Sequence, residues 1–330
     1  MGNGILLLTK SIFAVMIGFL LAAVLGLFII PILRKKKMGQ RISSYVGEAH
    51  KKKEGTPTMG GLIFVISTVI TTIALVLTGK LQFTTNLQIV LFVFIGYALI
   101  GFLDDFLSLR RKKNEGLTTY QKLFLQLIIA IVFFFLYMNS GGSTALQIAK
   151  LGINIEMGWI YGLFILFVLI GASNAVNLTD GLDGLAAGLS AIAFFAFALV
   201  SIVVGDVETG LFTFILVGGL IGFLIYNTYP ARIFMGDTGS LSLGAVMAAI
   251  AILTHREGTL LVVASIFIIE TLSVIIQVAW MFIFKKKLFL MTPLHHHFEK
   301  LGWHEQDIVK LFWVAGLILT MAGIYYGVWL

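Results

Sequence analysis

Asn177-Leu178-Thr179-Asp180-Gly181-Leu182-Asp183-Gly184 lies between two apolar runs, 158–175 and 185–204. Two carboxylates, an asparagine, a threonine and two glycines are packed into eight residues. A loop this short cannot fold alone, so other parts of the chain must complete its chemistry. The runs on either side set the fold class. Hydrophobic residues make up 59% of the 330 and charged residues 12%, against about 25% charged in a soluble domain. The chain therefore reads as an all-α polytopic membrane protein. A membrane barrel would need short segments of alternating polarity, and these runs do not alternate. Cysteine is absent, which excludes disulfides, thiolate metal sites and a cysteine nucleophile.

A crossing helix needs about 20 apolar residues. Ten runs qualify: 11–33, 61–77, 87–103, 123–138, 158–175, 185–204, 210–226, 241–254, 259–284 and 311–330. The run at 241–254 is the shortest. The first run is too long for a signal-peptide core of roughly 7–15 residues. It ends at Arg34-Lys35-Lys36-Lys37 with no small-residue cleavage site.

Ten crossings alternate the loops between two sides. One side takes 34–60, 104–122, 177–184, 227–240 and 285–310, and with them 19 of the 23 Lys and Arg residues. The other holds only Lys10, Lys80, Lys150 and Arg256. The positive-inside rule makes the first side cytoplasmic and leaves both termini outside. If 241–254 did not cross, Lys285-Lys286-Lys287 would fall outside. The net charge of +7 is thus orientation charge plus whatever anion the site binds, and no nucleic acid is needed to explain it.

Every polar cluster falls on that same side, although the topology used only hydropathy and Lys/Arg counts. Asp104-Asp105 ends the third run: a solvated helix end, or a general base or metal-linked carboxylate. Gly236-Asp237-Thr238-Gly239-Ser240 opens the eighth: a helix cap, or an oxygen site for a hard cation such as Mg²⁺. His295-His296-His297 follows Pro293-Leu294. Neighbours on a helix point about 100° apart, so the three cannot share one ion, and phosphate binding by one of them is the functional reading. Gly55-Thr56-Pro57-Thr58-Met59-Gly60-Gly61 opens the second run and could offer backbone N–H groups to an anion. Glu270 lies inside the ninth run, where an ionisable group is a functional hypothesis by default; a hydrogen-bonded packing residue is the reading preferred.

Carboxylates, glycine turns, lysines and histidines at a membrane face suit phosphoryl transfer between a lipid phosphate and a soluble phosphate donor. A transporter or channel with acidic residues along a pore is the alternative from another class. It would spread polar groups through the membrane depth, whereas these gather on one face.

Taken together and in order, these motifs resemble the phospho-MurNAc-pentapeptide transferases, within the polyprenyl-phosphate N-acetylhexosamine-1-phosphate transferase superfamily. The Pro-Leu-His-His-His block is what separates them from relatives that transfer GlcNAc-1-phosphate, the enzymatic alternative. The resemblance implies transfer from UDP-MurNAc-pentapeptide to undecaprenyl phosphate, giving lipid I and UMP with Mg²⁺. A multi-pass homodimer in the bacterial cytoplasmic membrane, with its active site facing the cytoplasm, is implied too. Carried over to this chain, Asp237 would hold the metal, and Asp104 and Asp105 would serve the lipid phosphate. Lys53, Asn177, Asp180, Gly181, Leu182, Asp183, Asn227 and Phe234 would line the nucleoside site. Thr58 and Lys122 are placed with the substrate-binding residues. His295 and His297 would complete the pocket, with His296 catalytic. Where the family often has a lysine three residues after the second aspartate, this chain has Ser108; Arg110 or Lys122 would have to substitute.

Overall fold

The computed structural model describes residues 2–35, 53, 55–111, 116–148 and 153–329. Lys36, Lys37, Arg41, Lys51, Lys52, Lys112 and Lys113, all counted among the 19 above, lie outside them. Twelve helices and one hairpin make up the described chain. They are α1 (Gly2–Lys35), α2 (Gly61–Leu77), α3 (Thr85–Arg111), α4 (Thr119–Asn139), β1 (Ala145–Ile148), β2 (Ile153–Glu156), α5 (Ile160–Thr179), α6 (Leu185–Val203), α7 (Val207–Asn227), α8 (Asp237–Leu253), α9 (Glu257–Val263), α10 (Ser265–Phe284), α11 (Leu294–Lys300) and α12 (Glu305–Trp329). Eight of these helices are long and apolar enough to cross a membrane, and α2 and α8 are shorter apolar helices. Together they match the ten runs read from the sequence, and the chain is an all-α multi-pass membrane protein.

The shortest run turns out to be the axis of the bundle. Every residue of α8 from Thr238 to Leu253 is buried. Its 17 residues span about 25 Å at 1.5 Å per residue, and neighbouring helices rather than lipid surround it. Small residues allow this. A Cβ on Gly244 would lie 2.1 Å from the Ala172 carbonyl oxygen of α5, and one on Gly61 would lie 2.3 Å from the Gly239 nitrogen. Between helices in lipid, such close backbone approach replaces the hydrophobic effect as the source of association. The same device docks α1 on α7, where a Cβ on Gly218 would lie 2.1 Å from the Val15 oxygen and one on Gly18 would lie 2.3 Å from the Ile215 oxygen. The outer face of α1 is left bare, with Ile12, Phe13, Leu27 and Phe28 exposed, as suits a lipid-facing helix.

Two features depart from the sequence reading. The ninth run is not one helix but α9 and α10, parted at Ala264 (φ −92°, ψ 10°). The Ser265 hydroxyl donates to the Leu261 and Val262 carbonyls, both at 2.7 Å, and so competes with the helical ladder at the break. Between α4 and α5 the chain forms an antiparallel hairpin with Ala145 opposite Glu156, which no apolar run announces.

The direction of the helices checks the alternation. The C-terminal ends of α3, α5 and α7 meet the N-terminal ends of α2, α4, α6, α8 and α12 around one set of hydrogen bonds. Ten alternating crossings require that grouping. Filling the closest helix contact should test the packing. Gly218→Val drives side-chain atoms into the α1 backbone, and overpacking of this kind costs about 1–3 kcal/mol. A clear drop in melting temperature in detergent is expected, whereas a wild-type melting curve would show that α1 is not docked there.

Candidate functional site: a carboxylate cluster at the helix ends

The third run was expected to end at the aspartate pair. Instead α3 continues to Arg111, so Asp104 and Asp105 sit on helix, one facing the bundle's centre. Asp105 is buried, not solvated. Its carboxylate accepts hydrogen bonds from the Asp237 N–H (3.1 Å), the Thr238 N–H (3.0 Å) and the Thr238 hydroxyl (2.7 Å). These are the first donors of α8. The helix lacks a side-chain cap of its own, because Gly236 holds the N-cap position with φ 73°. The local-cap reading of 236–240 is therefore replaced by a cap supplied from α3. Gly101 makes room for it, since a Cβ there would lie 2.1 Å from the Asp237 carbonyl oxygen.

Capping from across the bundle brings Asp237 beside the pair. Oxygens of Asp104, Asp105 and Asp237 all lie within 4.8 Å of one another. Lys122, from the first turn of α4, reaches Asp237 Oδ2 at 2.5 Å and Asp104 Oδ1 at 3.3 Å. It stands as the cation beside the aspartate pair, while Arg110 is exposed. Asn177 donates to Asp237 Oδ1 and to the Ser240 hydroxyl, both at 2.8 Å. Asp104 also accepts the Leu117 N–H at 2.9 Å. Burial pushes the Asp180 carboxyl up to about 8, helped by the nearby Asp237, Asp105 and Asp183 carboxylates and opposed by the Gly236 N–H. An all-oxygen set of three carboxylates suits a hard divalent cation.

A second group frames the other side of loop 180–184. Lys53 Nζ is 2.7 Å from Asp183 Oδ1 and 2.6 Å from Glu305 Oε1. Asp183 Oδ2 accepts the Ala231 N–H at 2.9 Å. Asn227 accepts the Gly184 N–H at 3.2 Å and donates to the Ile233 carbonyl at 3.0 Å. Leu182 is buried beneath the loop. The Gly60 and Gly61 N–H groups donate to the Phe234 and Met235 carbonyls at 2.8 Å. Those two donors are thus committed to backbone, and the glycine turn serves close packing. Thr58 is buried beside Gly236, where a Cβ would lie 2.8 Å from its hydroxyl.

The three histidines lie on a helix, α11, and point three ways. His295 is fully buried, with its backbone N–H on Glu270 Oε1 at 3.2 Å. Its Nδ1 lies 3.2 Å from Glu270 Oε2, but without hydrogen-bond alignment. Its Nε2 packs against Gly181, where a Cβ would be 2.2 Å away. His296 pairs with Glu299 at 2.6 Å, and His297 accepts the Leu290 N–H at 3.1 Å. Their side chains thus turn to three separate partners. Glu270 acts as the hydrogen-bonded packing residue expected, and Gln277 ties down the following turn through Leu288 and Phe289.

Thr238 and Ser240 enter the site as part of the 236–240 run, whereas Glu305 belongs to it and was not singled out from the sequence. Position 305 falls in the loop 285–310 of the sequence reading, and only its distant partners reveal Glu305.

A family model for glycosyl transferase family 4 matches residues 87–255, and the phospho-N-acetylmuramoyl-pentapeptide-transferase signature 1 matches residues 53–65. The chain is 48% identical over 320 residues to the phospho-N-acetylmuramoyl-pentapeptide-transferase of Geobacillus thermodenitrificans (strain NG80-2), covering 97% of this chain and 98% of the relative. It belongs to that family. The enzyme of the same name from Bacillus subtilis (strain 168) is 46% identical over 320 residues, with the same coverage. The counterpart from Oceanobacillus iheyensis is 46% identical over 321 residues, covering 96% of this chain and 98% of its own. The family's signature falls on Lys53 and the glycine turn, and its broader model takes in Asp104, Asp105, loop 177–184 and Asp237.

Burial lowers the His295 pKa, outweighing the Glu270 carboxylate. A histidine depressed in the folded state binds its proton more readily when unfolded, so its contribution is present above the unfolded value of about 6.5 and is lost as pH falls below it. Melting temperature should fall from pH 7 toward pH 5, and His295→Asn should flatten that slope. An unchanged slope in the variant would refute the assignment.

Proposed function

We propose that this site transfers phospho-MurNAc-pentapeptide from UDP-MurNAc-pentapeptide to undecaprenyl phosphate, giving lipid I and UMP in peptidoglycan synthesis. The observation that carries the reading is the convergence of Asp104, Asp105 and Asp237 beside Lys122 at the ends of membrane helices, in a chain of this family. The convergence is where a membrane-held phosphate and a soluble donor can meet. The excess of Lys and Arg in the same loops supports a site facing the cytoplasm of a bacterial cytoplasmic membrane. The family resemblance supports a homodimer.

Mg²⁺ is the cation this reading assigns to the cluster, where it would supply positive charge to the transferring phosphoryl group. Asp237, held in orientation by Asn177, would be the residue that holds it. Asp105 is occupied by its three donors from α8, so its part is to place Asp237. Asp104 keeps fewer partners and is the better candidate to orient the lipid phosphate. A phosphate monoester has its second pKa near 6, so the acceptor is mostly dianionic at neutral pH and needs positioning more than deprotonation. An oxygen of the lipid phosphate attacks the donor's β-phosphorus, the β-phosphorus–oxygen bond to the α-phosphate breaks, and UMP departs. Lys122, between Asp104 and Asp237, offsets charge as acceptor and donor close. Lys53, Thr58, Asp180, Gly181, Leu182, Asp183, Asn227 and Phe234 form the donor pocket, His296 and His297 its far wall, and the buried His295 completes it by packing behind Gly181.

Purified protein should release UMP from UDP-MurNAc-pentapeptide and not from UDP-GlcNAc when undecaprenyl phosphate and Mg²⁺ are present. Release only from UDP-GlcNAc would move the chain to the GlcNAc-1-phosphate branch, and none from either would sink the enzyme reading. Asp237→Ala should abolish Mg²⁺-dependent turnover while the protein still folds; near-normal turnover at low Mg²⁺ would refute the metal assignment. His296→Ala should lose most activity with no zinc in the wild type, and stoichiometric zinc would contradict that.

A further inference from the structure

Glu305 opens α12, and an acidic residue in a helix's first turn ordinarily complements the macrodipole. Asp307, in the same turn, fits that description. It is exposed, and its partner is Lys310 at 3.5 Å. Glu305 is different. Its side chain is 10% exposed, and its Oε1 turns away from its own helix to accept two donors, Lys53 Nζ at 2.6 Å and the Asp183 N–H at 2.7 Å. Those donors come from positions 252 and 122 residues away.

The partners define what this atom does. Asp183 holds Lys53 at 2.7 Å through Oδ1 and the Ala231 N–H at 2.9 Å through Oδ2. The Tyr229 ring centroid lies 5.9 Å from the same ammonium. Four segments thus meet at one ammonium: the turn before α2, loop 180–184, the turn after α7, and α12. Two of the three N–H groups of Lys53 are committed to carboxylates, and two carboxylates more than neutralise its charge. Lys53 is therefore braced, not poised as a free cation. A lysine stem is flexible and its ammonium strongly hydrated. With Asp183 alone, the amine could reach solvent by rotation about that stem. The second carboxylate fixes it, and the shared Oε1 fixes the loop backbone at Asp183 relative to it.

We infer that Glu305 is a positioning residue of the donor site, setting Lys53 and the loop at Asp183 to receive the nucleotide end of a sugar nucleotide. This rests on the function proposed above. Glu305 contacts Lys53 and the Asp183 N–H and none of Asp104, Asp105, Asp237 or Lys122, so its removal should weaken donor binding and spare the chemical step. Glu305→Gln keeps an acceptor for the Asp183 N–H and loses the charge on Lys53. Glu305→Ala loses both.

The test is steady-state UMP release by the full chain in detergent, with UDP-MurNAc-pentapeptide and undecaprenyl phosphate varied separately and melting temperature recorded alongside. A raised KM at constant kcat marks lost binding that ground and transition states share. The donor KM should rise roughly threefold in Glu305→Gln and about tenfold in Glu305→Ala, with kcat and the lipid KM unchanged within about twofold. Asp307→Asn, which removes the same charge from the same helix turn, should match wild type in all three. A donor KM at the wild-type value in folded Glu305→Ala, or a fall in kcat at constant donor KM, would overturn the inference and leave the function standing. If the alanine variant does not fold, the glutamine variant decides by the same criteria. Absence of UMP release by the wild type would instead overturn the functional reading, and this inference with it.

Discussion

Asp105 accepting the first backbone N–H groups of α8 is the contact on which the site's arrangement depends. A helix buried among other helices has no water to satisfy its leading N–H groups, and an unsatisfied group in hydrocarbon costs several kcal/mol. The glycine at its N-cap offers no side chain. A carboxylate from α3 meets the need and also suits the positive end of the macrodipole. The geometry that permits this is strict, because the α3 backbone must come close enough that even a Cβ on Gly101 would collide with Asp237. Once the cap forms, Asp237 is fixed at the start of α8 with its side chain beside Asp104, and Lys122 and Asn177 close on it.

The cap also settles how three carboxylates come to share so small a space. Like charges a few ångströms apart repel strongly where the effective dielectric is low. Three devices offset that here: backbone and hydroxyl donors on Asp105, the Lys122 ammonium between Asp104 and Asp237, and the Asn177 amide on Asp237. At Asp180 burial first, and the neighbouring carboxylates second, push the carboxyl up to about 8. A cluster that tolerates its charge only with help is one that gains from binding a cation.

Much of this was legible in the sequence because membrane helices report themselves through length and hydropathy, and Lys/Arg counts orient them. All ten runs lie on helices, the ninth on two of them, and even the shortest, 241–254, is helical through Leu253. It is short because helix length tracks lipid thickness only for helices that face lipid, and α8 does not. Motif order brought Asp104, Asp105, Asn177 and Asp237 to the site. It could not reveal which aspartate is spent on capping, since that depends on a contact 132 residues apart. Nor could it separate Glu305 from Asp307, which share a helix turn and differ only in what they face. The break at Ala264 was hidden for another reason: Ser265 is unremarkable in a hydrophobic run until its hydroxyl is seen on two carbonyls.

The central claim is that the Asp105 cap from α3 places Asp237, at the start of α8 and beside Asp104, to hold a divalent cation. Counting Mn²⁺ ions bound to the purified full chain by electron paramagnetic resonance, with wild type and Asp237→Asn compared at matched folding, addresses it without any turnover. The account predicts one bound ion per chain in the wild type, displaced by excess Mg²⁺, and none in the variant. An ion still bound stoichiometrically when Asp237 is replaced would contradict it.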